Sequence, residues 1–392
     1  MYPILFKIPY LGREVPTFGV MMTLGFFLAI WWAMRRGFKS GANPDVIINM
    51  GFISLIGGVL GCRIMYAWHY WDTQFARLPT TTARIFAVLD LTQGGMEFYG
   101  GFIAAVIGVL VYLRLWGHST RWYLDIVAPS CAIGMAIGRI GCFFNGCCFG
   151  GPCDLPWKVQ FPYGSNPAFV QWERRLPGAE LPAELIYLSD NAATPTPIQL
   201  RHLMAADAEI ESALAESKKL RTELTDLFIA RDKAASEAER KSLEDKISKL
   251  NAQRTKLPYY DVRQQLERYD MTLPQLRELA HEHPSLPVHP TQLYSTLGLT
   301  ALALFLNALY YRRARDGVVI LTLLTIEAPS RFLLEVIRKD NPLDTFGLTI
   351  SQSIALSLTV VGVLGLLYLR TLPPRSSRAK IWIPEEEPAR AK

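Results

Sequence analysis

The sequence predicts an all-α membrane protein with seven transmembrane helices. It places the N-terminus outside, the C-terminus inside, and a large helical extracytoplasmic insert between spans four and five. Three observations lead there. Half of the 392 residues are apolar, although the chain contains a long polar stretch. Seven apolar runs approach the roughly 20 residues that cross a bilayer. Arginine and lysine also cluster in alternate short loops, the bias that marks the cytoplasmic side.

The spans read as Phe18–Met34, Ile47–Trp68, Phe98–Leu115, Asp125–Phe144, Gln292–Tyr311, Val318–Ile337 and Ile350–Leu369. Arg35, Arg36 and Lys39 follow the first, and Arg114 and Arg121 bracket the gap after the third. Arg312, Arg313 and Arg315 follow the fifth, and Arg370, Arg375, Arg378 and Lys380 follow the last. Arg77, Arg84, Arg338 and Lys339 are exceptions on the opposite side. The first 16 residues lack the features of a cleaved secretory signal, so the first span is expected to act as its own insertion signal. The net charge of +6 is accounted for by loop arginines. No basic block with interleaved aromatics points to nucleic acid as a partner.

These boundaries divide the chain into a membrane core at 1–150 and 289–371, an insert at 151–288, and a tail at 372–392 expected to be disordered. The insert opens with a Pro- and aromatic-rich segment. From 203 to 256 it turns to Ala, Glu, Lys, Leu and Arg, which favour helix. Leu203, Ile210, Leu214, Leu224, Leu227, Leu243, Ile247 and Leu250 recur at helical spacing, predicting a long helix or a helical hairpin, coiled-coil-like in pattern. The expectation is a solvated spacer without chemistry.

Charges inside apolar spans carry the functional reading, because a guanidinium stays ionised and is costly in hydrocarbon. Arg139 lies within Gly138-Arg139-Ile140-Gly141-Cys142-Phe143-Phe144-Asn145-Gly146-Cys147-Cys148-Phe149-Gly150-Gly151. It is either a ligand group facing the bundle interior or a helix-end arginine reaching the headgroups. Arg331, Glu335 and Arg338 fall on one helical face, so Glu335 can neutralise one arginine and leave net positive charge for a phosphate. A salt-bridge ladder at the membrane surface is the alternative. Arg63, after Gly57, Gly58 and Gly61, carries the same ambiguity. On residues alone Tyr99, flanked by paired glycines in Gly94–Gly101, reads as an interfacial aromatic. His289-Pro290-Thr291-Gln292-Leu293-Tyr294 brings a histidine, an amide and a phenol to the start of the fifth span, suited to headgroup contacts or proton transfer. Cys62 and Cys131 read as packing residues. Cys142, Cys147, Cys148 and Cys153 are expected to form disulfides or pack, ahead of a metal site or a catalytic thiol.

Taken together, these segments resemble the prolipoprotein diacylglyceryl transferase family of bacteria. Phe18–Met21 resembles its first-span motif, Gly61-Cys62-Arg63-Ile64 its glycine–arginine motif, and Gly94–Gly101 its Gly-Gly-Met-x-Phe-aromatic-Gly-Gly segment. Gly138–Gly150 is similar to its signature, His289–Tyr294 to its His-Pro-x-Gln-Leu-Tyr motif, and Arg331-x3-Glu335-x2-Arg338 to its late arginine–glutamate motif. The resemblance implies transfer of the diacylglyceryl group of phosphatidylglycerol to the lipobox cysteine thiol of a prolipoprotein signal peptide. A thioether forms and glycerol phosphate leaves. It implies a bacterial cytoplasmic (inner) membrane location, membrane lipid and prolipoprotein as partners, and no metal or other cofactor.

Residue by residue, the resemblance implies catalytic roles for Tyr99, Arg331 and Glu335. It implies substrate binding by Arg139, Asn145, Gly150, His289, Gln292, Tyr294, Arg63 and Arg338. Tyr99 stands at the position of a histidine implicated in catalysis, so Tyr99 or a histidine such as His289 is expected to accept the thiol proton. Phe18 stands where tyrosine is common, Cys142 and Cys147 stand where asparagine and glutamate are usual, and the insert is longer than in most members. Two other classes fit parts of the sequence: a membrane thiol–disulfide or metal-dependent enzyme built on the cysteine cluster, and a non-enzymatic anion or lipid transporter.

Overall fold

Each apolar run becomes a helix that closes its backbone hydrogen bonds internally, as a segment surrounded by hydrocarbon must. A computed structural model describes residues 4–7, 14–90, 95–188, 194–234, 236–338 and 347–382. The chain divides into two units, Asn145–Pro290 and Tyr2–Phe144 with Thr291–Lys392.

The second unit starts with a short antiparallel pair, β1 (Ile4–Lys7) and β2 (Glu14–Pro16). The helices α1 (Thr17–Lys39), α2 (Pro44–His69), α3 (Thr81–Leu89), α4 (Phe98–Leu115) and α5 (Thr120–Asn145) follow, the last ending at the unit boundary. Sequence cues set the starts: the Asn43 side chain accepts from Asp45 N with Pro44 in the first turn of α2, and Thr80 caps α3. After the insert, whose helices take the intervening numbers, come α12 (Thr291–Arg312), α13 (Val318–Ile337) and α14 (Ile350–Leu369).

Among the described residues, six helices are long and apolar enough to cross a membrane: α1, α2, α4, α5, α12 and α14. Their outer faces expose large apolar side chains such as Leu24, Phe27, Phe52, Phe102, Leu304 and Leu364, suited to lipid contact. The expected seventh span, α13, differs because Glu327, Arg331 and Glu335 interrupt its apolar run.

Close helix approach and buried charge hold this unit together. A Cβ on Gly61 would sit 2.5 Å from the Gly100 carbonyl oxygen, so glycine lets α2 and α4 touch backbone to backbone. Arg36 is 2% exposed, and its guanidinium donates to Ile126 O at 2.6 Å, Ser130 Oγ at 3.0 Å and Asn307 Oδ1 at 2.9 Å. Asp125 is fully buried. Its carboxylate accepts from Gly317 N at 2.7 Å and Ile320 N at 3.0 Å, so α5 supplies the anion that satisfies the start of α13. Arg313 Nε pairs with the same carboxylate at 3.2 Å.

One expectation needs correction here. The tail expected to be disordered from 372 is tied down as far as Trp382. Asp316 N donates to Pro374 O at 2.9 Å, Ser376 N to Asp316 Oδ2 at 3.0 Å, and Trp382 N to Gly41 O at 2.8 Å. Backbone donors satisfied by tertiary partners outweigh the disorder-prone composition; residues 383–392 lie outside the described residues.

The insert, expected as a solvated spacer with a helical or coiled-coil-like stretch, is a folded unit with its own apolar core. After α6 (Asn166–Glu173), strands β3 (Ile186–Leu188) and β4 (Pro195–Pro197) pair antiparallel. The short α7 (Leu200–Leu203) leads into a hairpin of α8 (Asp207–Lys233) and α9 (Glu237–Lys256), then α10 (Tyr260–Tyr269) and α11 (Leu273–Glu282). Ile210, Leu224 and Ile247 of the apolar repeat are buried within this hairpin, and Leu203 is buried in α7. Tyr163 OH donates to Leu185 O at 3.1 Å and Ile198 O at 3.0 Å, and burial raises its phenol pKa above the ordinary value. Arg277 donates to Leu203 O and Ala205 O, closing the carbonyl end of α7.

Gly101→Ala is expected to lower the thermal midpoint of the detergent-solubilised protein, at a cost of about 1–3 kcal/mol. Its new Cβ would meet Gly58 O at 2.6 Å and force α2 and α4 apart. Scanning fluorimetry on wild type and variant measures the shift.

Candidate functional site

The site is built on α13, where Glu327, Arg331 and Glu335 recur every four residues and share one face, with Arg338 at the helix's C-cap. Glu335 is 3% exposed, and a carboxylate buried this deeply is costly unless it is closely paired. Arg331 Nη2 lies 3.1 Å and Arg338 Nη1 3.3 Å from its Oε2, and Thr349 Oγ1 donates to Oε1 at 3.4 Å. One carboxylate thus holds two guanidinium groups in fixed orientation. The trio keeps a net positive charge, with Arg331 half-buried and Arg338 buried.

Arg139, half-buried on α5, joins this group through Glu327. The Glu327 carboxyl lies within electrostatic reach of both Arg139 and Arg331. Glu327 was missed from sequence, although its place four residues before Arg331 was the available signal.

Tyr99, in the first turn of α4, reaches the same region through α14. Its phenol oxygen lies 2.7 Å from Ser351 Oγ, in the first turn of α14. That helix is started by a reciprocal capping box in which Gln352 N donates to Thr349 Oγ1 at 3.2 Å and Thr349 N to Gln352 Oε1 at 2.9 Å. Thr349, the cap, is the residue that also contacts Glu335. The first turn of α14 therefore connects the phenol on α4 with the ion ladder on α13.

Arg63 is used differently. Its Nε donates to Val88 O at 2.8 Å, Nη1 to Gly95 O at 2.9 Å and Nη2 to Ala87 O at 2.7 Å, and the guanidinium lies 5.4 Å from the centre of the Tyr66 ring. The guanidinium closes the carbonyl end of α3 and fixes the backbone that leads into α4 and Tyr99. Gln292 is 1% exposed in the first turn of α12, and Tyr294 is half-buried beside it.

The insert unit holds the remaining predicted residues. Gly150 N donates to His289 O at 3.0 Å and His289 N to Gly151 O at 3.1 Å, so the signature and the His-Pro motif meet across the whole insert. Val159 and Val288 extend this pairing, and Cys153 N donates to Pro287 O at 3.0 Å. His289 is half-buried and Asn145, at the end of α5, is exposed.

A family model described as prolipoprotein diacylglyceryl transferase matches residues 3–368. Among curated proteins, the chain is similar to the phosphatidylglycerol–prolipoprotein diacylglyceryl transferase of Rhodopirellula baltica. The identity is 36% over 176 residues, which is 44% of this chain and 34% of that protein. It is likewise similar to the enzymes of that name from Clostridium tetani, 34% identical over 41% of this chain and 61% of that one, and Pseudoalteromonas translucida, 35% identical over 41% and 58%. The matched stretches thus span from 34% to 61% of these relatives' lengths.

Arg63→Lys keeps the charge and loses the three-carbonyl fork. Hydrogen–deuterium exchange should then quicken in the last turn of α3 and at Gly95, with little change in α13.

Proposed function

The chain belongs to the prolipoprotein diacylglyceryl transferase family, and on that premise we propose that it transfers the diacylglyceryl group of phosphatidylglycerol to a prolipoprotein's lipobox cysteine. The observation that carries this reading is the pair of arginines held by one buried carboxylate. A lipid phosphate is both the handle by which phosphatidylglycerol is held and the group that leaves. Guanidinium groups that grip it also stabilise the charge that grows on departure.

The cysteine sulfur attacks the glycerol carbon bonded to the phosphate oxygen. The new S–C bond replaces the C–O bond, glycerol phosphate departs with the bonding pair, and the thiol proton passes to Tyr99 or a histidine such as His289. Arg139, Arg331 and Arg338 bind the phosphate, and Glu335 keeps the α13 arginines aimed. Tyr99 works at the acceptor sulfur. Asn145, Gly150, His289, Gln292 and Tyr294 contribute to substrate binding, and Arg63 supports the approach to Tyr99.

This reading takes α13 as the seventh span, its charges facing the bundle interior. The N-terminus and the insert are then outside and the C-terminus is inside. The protein is a multi-pass component of the bacterial cytoplasmic membrane, acting on signal peptides that emerge from it. The chemistry calls for no metal or organic cofactor.

With phosphatidylglycerol and a lipobox peptide in detergent, mass spectrometry should detect diacylglyceryl addition to the peptide cysteine. Arg139→Ala should reduce the rate at least about a hundredfold, as expected for loss of a charge-assisted contact to the leaving group. A folded wild type that leaves the peptide unmodified would overturn the assignment.

A further inference from the structure

We propose that Ser351 is a positioning residue that sets the phenol of Tyr99 for the acceptor sulfur. The inference rests on the reading above, in which Tyr99 works at that sulfur. It begins from a hydroxyl whose presence the helix itself does not explain. Serine is a modest helix former, useful mainly as a cap. In α14 the cap is already Thr349, whose side chain accepts from Gln352 N, and Gln352 completes the reciprocal bond. Ser351 is therefore spare for helix initiation, and its Oγ lies 2.7 Å from Tyr99 OH, 252 residues away in sequence.

The consequence follows from how a phenol bonds. It has one hydrogen, which lies in the ring plane, and an oxygen that also accepts. Once one of these directions is committed to Ser351, the remaining one is fixed in space and can face a third group. A phenol without that partner samples both orientations, and the productive one is populated less. Ser351 can impose this choice because its own backbone is held. It sits in the turn locked by Thr349 and Gln352, which are 5% and 6% exposed, and Thr349 also donates to Glu335. The same turn thus indexes the phenol against the arginines that hold the phosphate, so nucleophile and leaving group are aligned from one short piece of backbone.

The test is a double-mutant comparison of diacylglyceryl transfer in purified full-length protein. Ser351→Ala should lower kcat about tenfold, the scale of one well-formed hydrogen bond, with KM for phosphatidylglycerol and peptide held within about twofold. Ser351→Thr, which keeps the hydroxyl, should restore most of the rate. In a Tyr99→Phe background Ser351→Ala should have no further effect, because the group it acts through is gone. Should Ser351→Ala fail to fold, Ser351→Cys is compared in both backgrounds instead, since it keeps the volume with a weak donor.

Unchanged kcat in the single variant, or an equal loss in both backgrounds, would overturn the positioning role while leaving the transfer reaction in place. A folded wild type that modifies no peptide would overturn the transfer reading and this role with it.

Discussion

The arrangement depends on one requirement: a charge buried in an apolar helix bundle must be paired. Glu335 answers it for two arginines at once. Neither arginine could face the bundle alone without a large desolvation cost, and a carboxylate alone would fare no better. Sharing leaves the group positively charged, held on a single helix face, and thus suited to an anion. Asp125 meets the same requirement at the other end of α13 by accepting the helix's first backbone donors and pairing with Arg313. This helix is therefore anchored toward both ends by buried carboxylates.

The second organising feature is the first turn of α14. Through Ser351 it meets Tyr99 on α4, and through Thr349 it meets Glu335 on α13. Arg63 secures the approach to α4 from the other direction by holding the backbone around Val88 and Gly95. Tyr99 is thus fixed by its side chain and by the chain that precedes it. In the insert, the pairing of Gly150 and Gly151 with His289 lets a large folded unit be carried while the flanking motifs stay adjacent.

Much of this was legible in the sequence, and the remainder was hidden for identifiable reasons. Apolar periodicity located α4, α13 and α14 at the observed boundaries, because each run is bounded by glycine, charge or a cap. Helical spacing predicted the Arg331–Glu335–Arg338 face. The same spacing would have revealed Glu327 had it been extended one turn back. Ser351 was illegible because its partner is distant in the chain and a serine in a first turn ordinarily reads as a cap. The hydrogen bonds of Arg63 to backbone carbonyls were not legible, because carbonyls leave no trace in a pattern of side chains. The tail and the insert were read from composition, which does not register hydrogen bonds such as Trp382 N to Gly41 O or Tyr163 OH to two carbonyls.

The most direct test of the claim that the α13 ladder receives a lipid phosphate is lipid selectivity, measured without any turnover. Native mass spectrometry of the wild type and of Arg331→Gln, each titrated with phosphatidylglycerol and with zwitterionic phosphatidylethanolamine, reads it. The account predicts that the wild type retains phosphatidylglycerol in preference and that the variant loses this preference while remaining folded. Equal retention of both lipids by the wild type, or an unaltered preference in the variant, would contradict it.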